Sequence, residues 1–470
     1  MRVLKALVVW SGPGFGNKLF HSQRIGEEKP RVLSCTVDRG FCPQSLYGIK
    51  TYEHKYTLKL ENSDGALDQY RTLWSTDQAV FSVYAADDAS FAGTTWATDT
   101  GSVNQKFARH ITRVIVTLSE VILEATGGSI REHLDVRLAQ FYSIFYNTFP
   151  QNKPQLWAAG KVTVDLDALQ IVGASTDFDT GIRAAETVQV FQDGSLQTPL
   201  GPVGAGDFSF ATTAVEGKRV TGKLSQPSVA SPCSCGTAFD DIMTAAGYIA
   251  GNNYVQNWSR GTLDQSVGVG VSARDETRLE TIEKILAGFD AGLFERSDGK
   301  VAVAMLQDFY EIAAIVAPYE LTQRKIDRIE VETAPFDGLG KLISWNQNDA
   351  LHSAQGSTIT DTYKLQSPNE QAGMAGAYDA VYANDAGVKE RVFQTWFTSQ
   401  STTAAAFLNG FYSAENMMLN ITATGFDLQE LNPGANIHVY HDRFDLGFLP
   451  NIFQLLSLRY DLMLIGKRQT

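Results

Sequence analysis

Short runs in which apolar and polar residues alternate one by one, each cut off by a turn-forming cluster, recur through most of this chain. That period of two narrows its fold more than any other feature. Tyr56, Leu58 and Leu60 alternate with Thr57, Lys59 and Glu61, as in a strand with one face in a core and the other in water. Asn62-Ser63-Asp64-Gly65 then ends the run with residues that tolerate turn backbone. The same pattern covers Lys161 to Val164, Glu186 to Phe191 before Asp193-Gly194, Phe208 to Phe210, and Val220 to Leu224. Arg113 to Glu124 reads as one further strand, closed by Gly127-Gly128. Val3 to Trp10 reads as the first strand, since it falls well short of the roughly 20 apolar residues a membrane helix needs, and no membrane span is expected elsewhere.

A few stretches change period. Leu134, Leu138, Phe141 and Phe145 mark one face of a helix over Ile130 to Phe145. Phe239 to Ala250 is a second helix, and Thr402 to Ser413 another. Glu276 to Phe289 carries Leu279, Ile282, Ile285, Leu286 and Phe289 on one side, with Asp275 expected at its N-cap. Leu293-Phe294-Glu295, a turn at Ser297-Asp298-Gly299 and Lys300 to Leu306 follow directly, so this helix should pack on a hairpin. The final third returns to strands, with Ile421 and Ala423, Ile437 and Val439, then Leu456, Leu458, Tyr460, Leu462 and Leu464 each on one side.

The expected fold class is therefore mainly β with an α+β subdomain. With 470 residues, about 150 per domain suggests roughly three domains. The breaks divide the chain into a β-rich N-terminal region (1–150), a second β-rich region (151–235), a small α+β domain (236–310) and a C-terminal β domain (311–470).

Motifs that would carry chemistry are imitated more than met. Gly12-Pro13-Gly14-Phe15-Gly16-Asn17-Lys18 is glycine-rich, but its spacing differs from phosphate-binding loops and no apolar helical pattern follows. His438 and His441, with Asp442 and Asp445, are the one close histidine pair; on a strand the two rings would point to opposite faces. Cys35, Cys42, Cys233 and Cys235 form two short-spaced pairs far apart in sequence. They read as free thiols, with zinc or an iron–sulfur cluster as the alternative. Asp87-Asp88, Asp165-Leu166-Asp167 and Asp240-Asp241 read as solvated acids, although a glycosidase would also need paired carboxylates. No residue is assigned a catalytic, cofactor-binding or metal-binding role, and no enzyme activity is expected. Thirty-nine basic against fifty-two acidic residues give a net charge of −13. That balance argues against sequence-specific nucleic-acid binding, which needs clustered Lys and Arg.

Taken in order, several segments resemble the tail hub proteins of long-tailed phages and gene-transfer agents. More distantly, they are similar to the baseplate hubs of contractile tails and type VI secretion spikes. The segments are Tyr56 to Asp68, Asn152-Lys153-Pro154 to Val164, Glu186 to Gly194, and Gly206 to Phe210. Gly268 to Leu306 matches best, and Asn432 to Ile437, Phe453 and Arg459-Tyr460-Asp461-Leu462 resemble the closing barrel. The resemblance implies a virion structural protein, a homotrimer whose subunits each supply two tube-like β-barrel domains plus smaller decorating domains. Three subunits would then continue a six-fold tail tube toward a three-fold tip and let DNA pass. Partners would be distal tail and tube proteins above, tip or fibre proteins below and the tape-measure protein in the lumen. Localisation would be the tail tip of the virion, after assembly in the host bacterial cytoplasm. Some tail-tip proteins of this neighbourhood carry an iron–sulfur cluster, but these cysteines do not reproduce its spacing, so no cofactor is expected. The alternatives are a receptor- or glycan-binding tail-tip protein and a cell-wall-degrading tail enzyme.

Overall fold

A computed structural model of the chain describes residues 2–10, 17–24, 29–40, 54–75, 79–87, 105–126, 130, 133–138, 154–160, 162–172, 175–179, 187–192, 195–197, 201–204, 207–211, 220–225, 234–254, 270–286, 291–297, 299–305, 319–334, 340–344, 361–364, 391–394, 416–423, 428, 431–444 and 452–462.

The N-terminal region begins with β1 (Arg2–Trp10), β2 (Lys18–His21), β3 (Val32–Gly40) and β4 (Lys55–Glu61). A short helix α1 (Arg71–Trp74) precedes β5 (Ala79–Asp87), β6 (Gln105–His110), β7 (Arg113–Val116) and β8 (Glu120–Thr126). Strands β2-β1-β5-β6 make a four-stranded sheet, and β3-β4-β8-β7 belong to a five-stranded one. Alternation does the rest: Ala6, Val8, Phe81 and Val83 from the first sheet meet Cys35, Val37, Leu58, Leu60 and Leu123 from the second in one core. Tyr70 stacks on Trp74 at 5.0 Å, and Trp74 meets Phe20 edge-on, so α1 plugs one end of this core. Burying each such large side chain contributes roughly 1.5–3 kcal/mol. The sheets are stitched at corners, where Arg31 N donates to His21 O (2.8 Å) and Ile111 N to Ala79 O (2.8 Å). This is an open sandwich; among the described residues no sheet closes into the tube-like barrel expected here.

Arg113 to Glu124 is a hairpin where one strand was expected. Thr117, Leu118 and Ser119 reverse the chain without glycine. The Thr117 hydroxyl accepts from Glu120 N (2.9 Å) and donates to Glu120 O (3.1 Å), doing with a side chain what a permissive backbone does elsewhere.

Strands β9 (Trp157–Gly160), β10 (Val162–Asp165), β11 (Asp167–Val172), β12 (Ser175–Asp179) and β13 (Thr187–Gln192) follow. They continue with β14 (Ser195–Gln197), β15 (Gly201–Gly204), β16 (Asp207–Ala211) and β17 (Val220–Ser225). These form two four-stranded antiparallel sheets, β10-β17-β13-β14 and β11-β12-β16-β15, while β9 pairs forward with β18 (Gly270–Ala273).

The α+β unit holds helices α2 (Cys235–Ala245) and α3 (Arg278–Leu286) and the hairpin β19 (Ala291–Glu295) and β20 (Val301–Met305). Helix α2 starts four residues before the expected Phe239, because the Ser234 hydroxyl caps it by accepting from Thr237 N (3.1 Å). It ends in a glycine turn: Gly247 has φ +84°, Tyr248 N bonds Met243 O and Gly247 N bonds Thr244 O. Buried Cys235, Ala238, Phe239, Ile242 and Met243 follow helical spacing. For α3 the cap is Thr277, not Asp275. Thr277 Oγ1 accepts from Glu280 N (3.1 Å) and Glu280 Oε2 from Thr277 N (2.8 Å), a reciprocal box. Asp275 instead pairs with Arg137 at 3.4 Å. The helix expected over 130–145 is helical at residues 130, 133 and 134 and bends at Asp135 to Leu138, with Arg137 bridging Thr277; residues 139–150 lie outside the described set. Leu134 and Leu138 nevertheless enter the same core as both helices and β9, so this unit draws on residues well before 236.

Hairpin β19–β20 is buried throughout. Leu293, Val301, Val303 and Met305 face the helices, while Phe294, Ala302 and Ala304 face the other way, onto Leu456. It is the middle layer.

In the last third come β21 (Tyr319–Leu321), β22 (Ile326–Ala334), β23 (Gly340–Ser344), β24 (Asp361–Lys364) and β25 (Arg391–Gln394). Strands β26 (Asn416–Ala423), β27 (Asn436–Val439), β28 (Ile452–Gln454) and β29 (Ser457–Asp461) are the last of the described elements. Sheet β21-β27-β28 and the pair β22–β26 share a core of Leu321, Ile437 and Val439, with Ile329, Leu419, Ile421 and Phe453 packed around it. The helix expected over 402–413 lies outside the described residues. Strand β29, likened by sequence to the closing barrel, instead pairs antiparallel with β3, Tyr460 opposite Val37, as the fifth strand of the N-terminal sheet. Leu462 is buried in that sandwich core.

The middle layer gives a direct contrast. Phe294→Ala should cost about 3–5 kcal/mol, whereas Leu118→Ser, at a residue 97% exposed on its hairpin turn, should stay within about 0.5 kcal/mol of the parent. Urea unfolding of both variants measures the difference.

Candidate functional site

Glu295 ends β19 where the alternation would place another apolar residue, and it is only 2% exposed. Its carboxylate forms an ion pair with Arg109 of β6 and accepts a hydrogen bond from the Tyr56 hydroxyl of β4 at 3.2 Å. The Arg109 guanidinium lies over the Tyr56 ring, 4.8 Å from its centroid, and donates to Tyr56 Oη (3.3 Å) and to Ala108 O (2.7 Å). Tyr56 packs in turn on Phe107, and Phe107 edge-on against Phe81. The three polar side chains come from both sheets of the sandwich and from the middle-layer hairpin, so their cluster is the polar bolt of the seam between these units. Removing both charges from water is expensive, and the close pairing, the phenol and the ring face offset that cost.

Beside the bolt is a cavity of about 290 Å³ lined by Val37, Arg39, Tyr56, Lys106, Phe107, Glu295, Arg296, Ser297, Asn432, Tyr460 and Leu462. Arg39 is 3% exposed and sits over the Tyr460 ring at 5.4 Å. Asn432 Oδ1 accepts from Ser297 N (2.7 Å), which ties the hairpin turn to the segment before β27. His54, 1% exposed, feels the charge gathered here. Burial first, then the Arg39 and Arg109 charges, drive its imidazole down to about 3, with a Gly40 backbone hydrogen bond acting the other way.

The residues singled out from sequence lie elsewhere. Cys35 is buried in the sandwich core, its thiol pushed up by burial and by the Asp461 carboxylate, and Cys235 is the buried first residue of α2. Neither is in a disulfide, and Cys42 and Cys233 fall outside the described residues. His438 packs on Tyr440, ring centroids 4.2 Å apart, with Nδ1 and the phenol oxygen at 2.8 Å. His441 and Asp442 follow the strand, and Asp445 is outside the described set. Among the described residues, no three of His, Cys, Asp or Glu are grouped so as to hold a metal ion. Of the glycine-rich stretch, residues 11–16 are not described, and Lys18 lies over the Tyr70 ring at 5.4 Å. Asp240 accepts from the Tyr254 hydroxyl at 3.2 Å, Asp165 is exposed, and Asp88 is outside the described residues. Sequence reasoning missed Arg39, His54, Arg109 and Glu295. Only Glu295 left a trace, a charge at the end of an otherwise apolar strand.

No protein-family model matches this chain, and no curated protein does. Among solved structures, it is similar to the tail protein from Neisseria meningitidis MC58, at 11% identity and a TM-score of 0.40, over 97% of this chain and 92% of that one. It is also similar to the 43 kDa tail protein of prophage MuSo2 from Shewanella oneidensis, at 7% identity and a TM-score of 0.42, over 97% and 92% of the two chains. A chain in the virion of a native gene transfer agent particle overlaps 48% of this chain and 80% of its own length, at 10% identity and a TM-score of 0.18.

Two measurements test the bolt. Glu295→Ala leaves the Arg109 charge buried without its carboxylate and should cost about 3–5 kcal/mol, whereas a Glu295→Met, Arg109→Met double variant should recover most of that loss; denaturant unfolding of the set decides. His54 gives a pH signature. Its folded pKa lies below the ordinary value of 6.5, so the unfolded chain takes up the proton first. Stability is full above that value and falls by about 1.4 kcal/mol per pH unit as pH drops toward about 3. Thermal melts of His54→Gln should show a shallower slope over that window than the parent.

Proposed function

We propose that this chain is a virion structural protein of a phage tail, a hub at the distal end of the tail tube. Its role is mechanical and not catalytic. Support comes from the ordered segments that resemble hub proteins and, above all, from one feature of the fold. The first and last parts of the chain share a sheet, β3 with β29, while the α+β hairpin is bolted against the same sandwich through Glu295 and Arg109. A subunit tied in this way transmits load between its parts, which a joint between tube and tip must do. The loose overlaps with solved tail proteins are not part of this support.

In this proposal three subunits form the ring. The N-terminal sandwich and the C-terminal β unit of each are the two halves that meet the six-fold tube, and the α+β unit decorates the ring. Distal tail and tube proteins bind above, tip or fibre proteins below. The tape-measure protein and then DNA pass through the lumen, which the net charge of −13 would keep from binding a polyanion.

Light scattering of the purified protein, followed by imaging of particles with bound tubes, provides the test. A trimer seated as a three-fold ring at the tube end is the expected result. A monomer that binds host cells by itself, or that degrades host envelope, would replace the hub with one of the other tail-tip roles.

A further inference from the structure

The hairpin β19–β20 meets its neighbours through two unequal joints. Toward the sandwich, the Glu295 carboxylate is met by Arg109 and Tyr56. Toward the sheet β21-β27-β28 the match is poorer. Ile437 and Val439 turn into that sheet's own core, so Asn436 and His438 lie on its opposite face. Gln454, directly across from Asn436, reaches Met305 O at the end of β20 (2.7 Å), so this is the face that meets the hairpin. Asn436 is only 4% exposed, and neither its Oδ1 nor its Nδ2 has a hydrogen-bond partner among the described residues. The buried Nε2 of His438 has none among them either. An amide shut away from water without partners is costly, and contact with water relieves that cost.

A pivot lies beside this joint. Gly434 N donates to Leu455 O (2.6 Å) and Leu455 N to Ala435 O (2.9 Å), which keeps Leu455 with the C-terminal sheet. Ser457 already pairs with Gly40 as the first residue of β29, so Leu456 alone separates the two. Across the joint run the bonds from Ser297 N to Asn432 Oδ1 (2.7 Å) and from Gln454 to Met305 O. We propose that the unit carrying β21, β27 and β28 is a hinged flap. It swings at Leu456 away from the middle-layer hairpin and wets Asn436 and His438, while β29 and the Glu295–Arg109 pair stay in place. The motion belongs to one subunit and is read on the purified chain, so its test stands apart from that of the tail role.

Hydrogen exchange of the full chain, resolved to single amides by fragmentation mass spectrometry, provides the test. The Ser297 amide bonds across the joint, whereas the Arg296 amide bonds Lys300 O within the hairpin (2.8 Å), so opening exposes the first and spares the second. In the parent, after correction for intrinsic rates, Ser297 should exchange about tenfold faster than Arg296 or more. Asn436→Leu keeps the shape and removes the orphaned polar atoms. It should slow Ser297 about tenfold, the scale of one unsatisfied buried group, with Arg296 unchanged and the melting temperature no lower. Asn436→Asp puts a charge into the closed joint and should speed Ser297 exchange; it carries the comparison should the leucine variant fail to fold. Equal exchange of Ser297 and Arg296 in the parent, or an Asn436→Asp chain in which Ser297 is unaltered, overturns the flap. So does an Asn436→Leu chain that exchanges Ser297 at the parent rate or faster, or melts lower, since the amide would then be holding the joint shut.

Discussion

A carboxylate taken out of water must be met by charge and hydrogen bonds, and that requirement, applied to Glu295, organises the centre of this protein. The residue ends a hairpin that is buried on both faces, so it has no route to solvent through its own unit. Its partners, Arg109 and Tyr56, stand on different sheets of the N-terminal sandwich. The ion pair favours one register of the hairpin against the sandwich, because a slip by one residue would bring apolar Phe294 or like-charged Arg296 to the guanidinium. Apolar contacts on either side, Phe294 against Leu456 and Leu293 among the helices, supply the bulk of the attraction. The ion pair supplies the address.

The same economy explains how the units fit. Two antiparallel sheets face each other in the sandwich, the outer side of the first carrying a small apolar cluster of Leu7 and Tyr84 with Val9 and Leu19, and two helices close over one side of the hairpin. Among the described residues no helix covers the other side of the hairpin, and the segment leading into the last strand packs on it through Leu456. The α+β unit therefore borrows part of its cover from the C-terminus and part of its core from Leu134, Leu138 and Trp157 upstream. Compactness here is a property of the assembled chain, shared among segments that sequence order separates.

Local chemistry was legible in the residues, and long-range pairing was not. A short apolar run located β1, alternation located β4, β13, β16 and β17, and the apolar stripe of α3 was read down to Ile285 and Leu286. Caps were misread where two candidates stood close together: Asp275 looked right, but Thr277 with Glu280 three residues on satisfies two backbone N–H groups at once. The turn at Thr117 was missed since a hydroxyl, not a glycine, makes it. The seam left almost no sign, because Arg39, His54, Arg109 and Glu295 converge only after both sheets have formed. The partner of β29 was unreadable for a similar reason, since strand patterns state which face is buried but not which edge will be met.

The return of β29 to β3 also governs the order of events when the protein is made. Cys35 N reaches Asp461 Oδ1 across 426 residues of sequence, so the five-stranded sheet lacks one edge until β29 has left the ribosome. Nascent β3 meanwhile presents an open ladder, a state in which chains of this kind recruit wrong strands. Slow maturation of this sheet follows from that topology, and a translation stall before β29 would release a subunit with an unfinished edge.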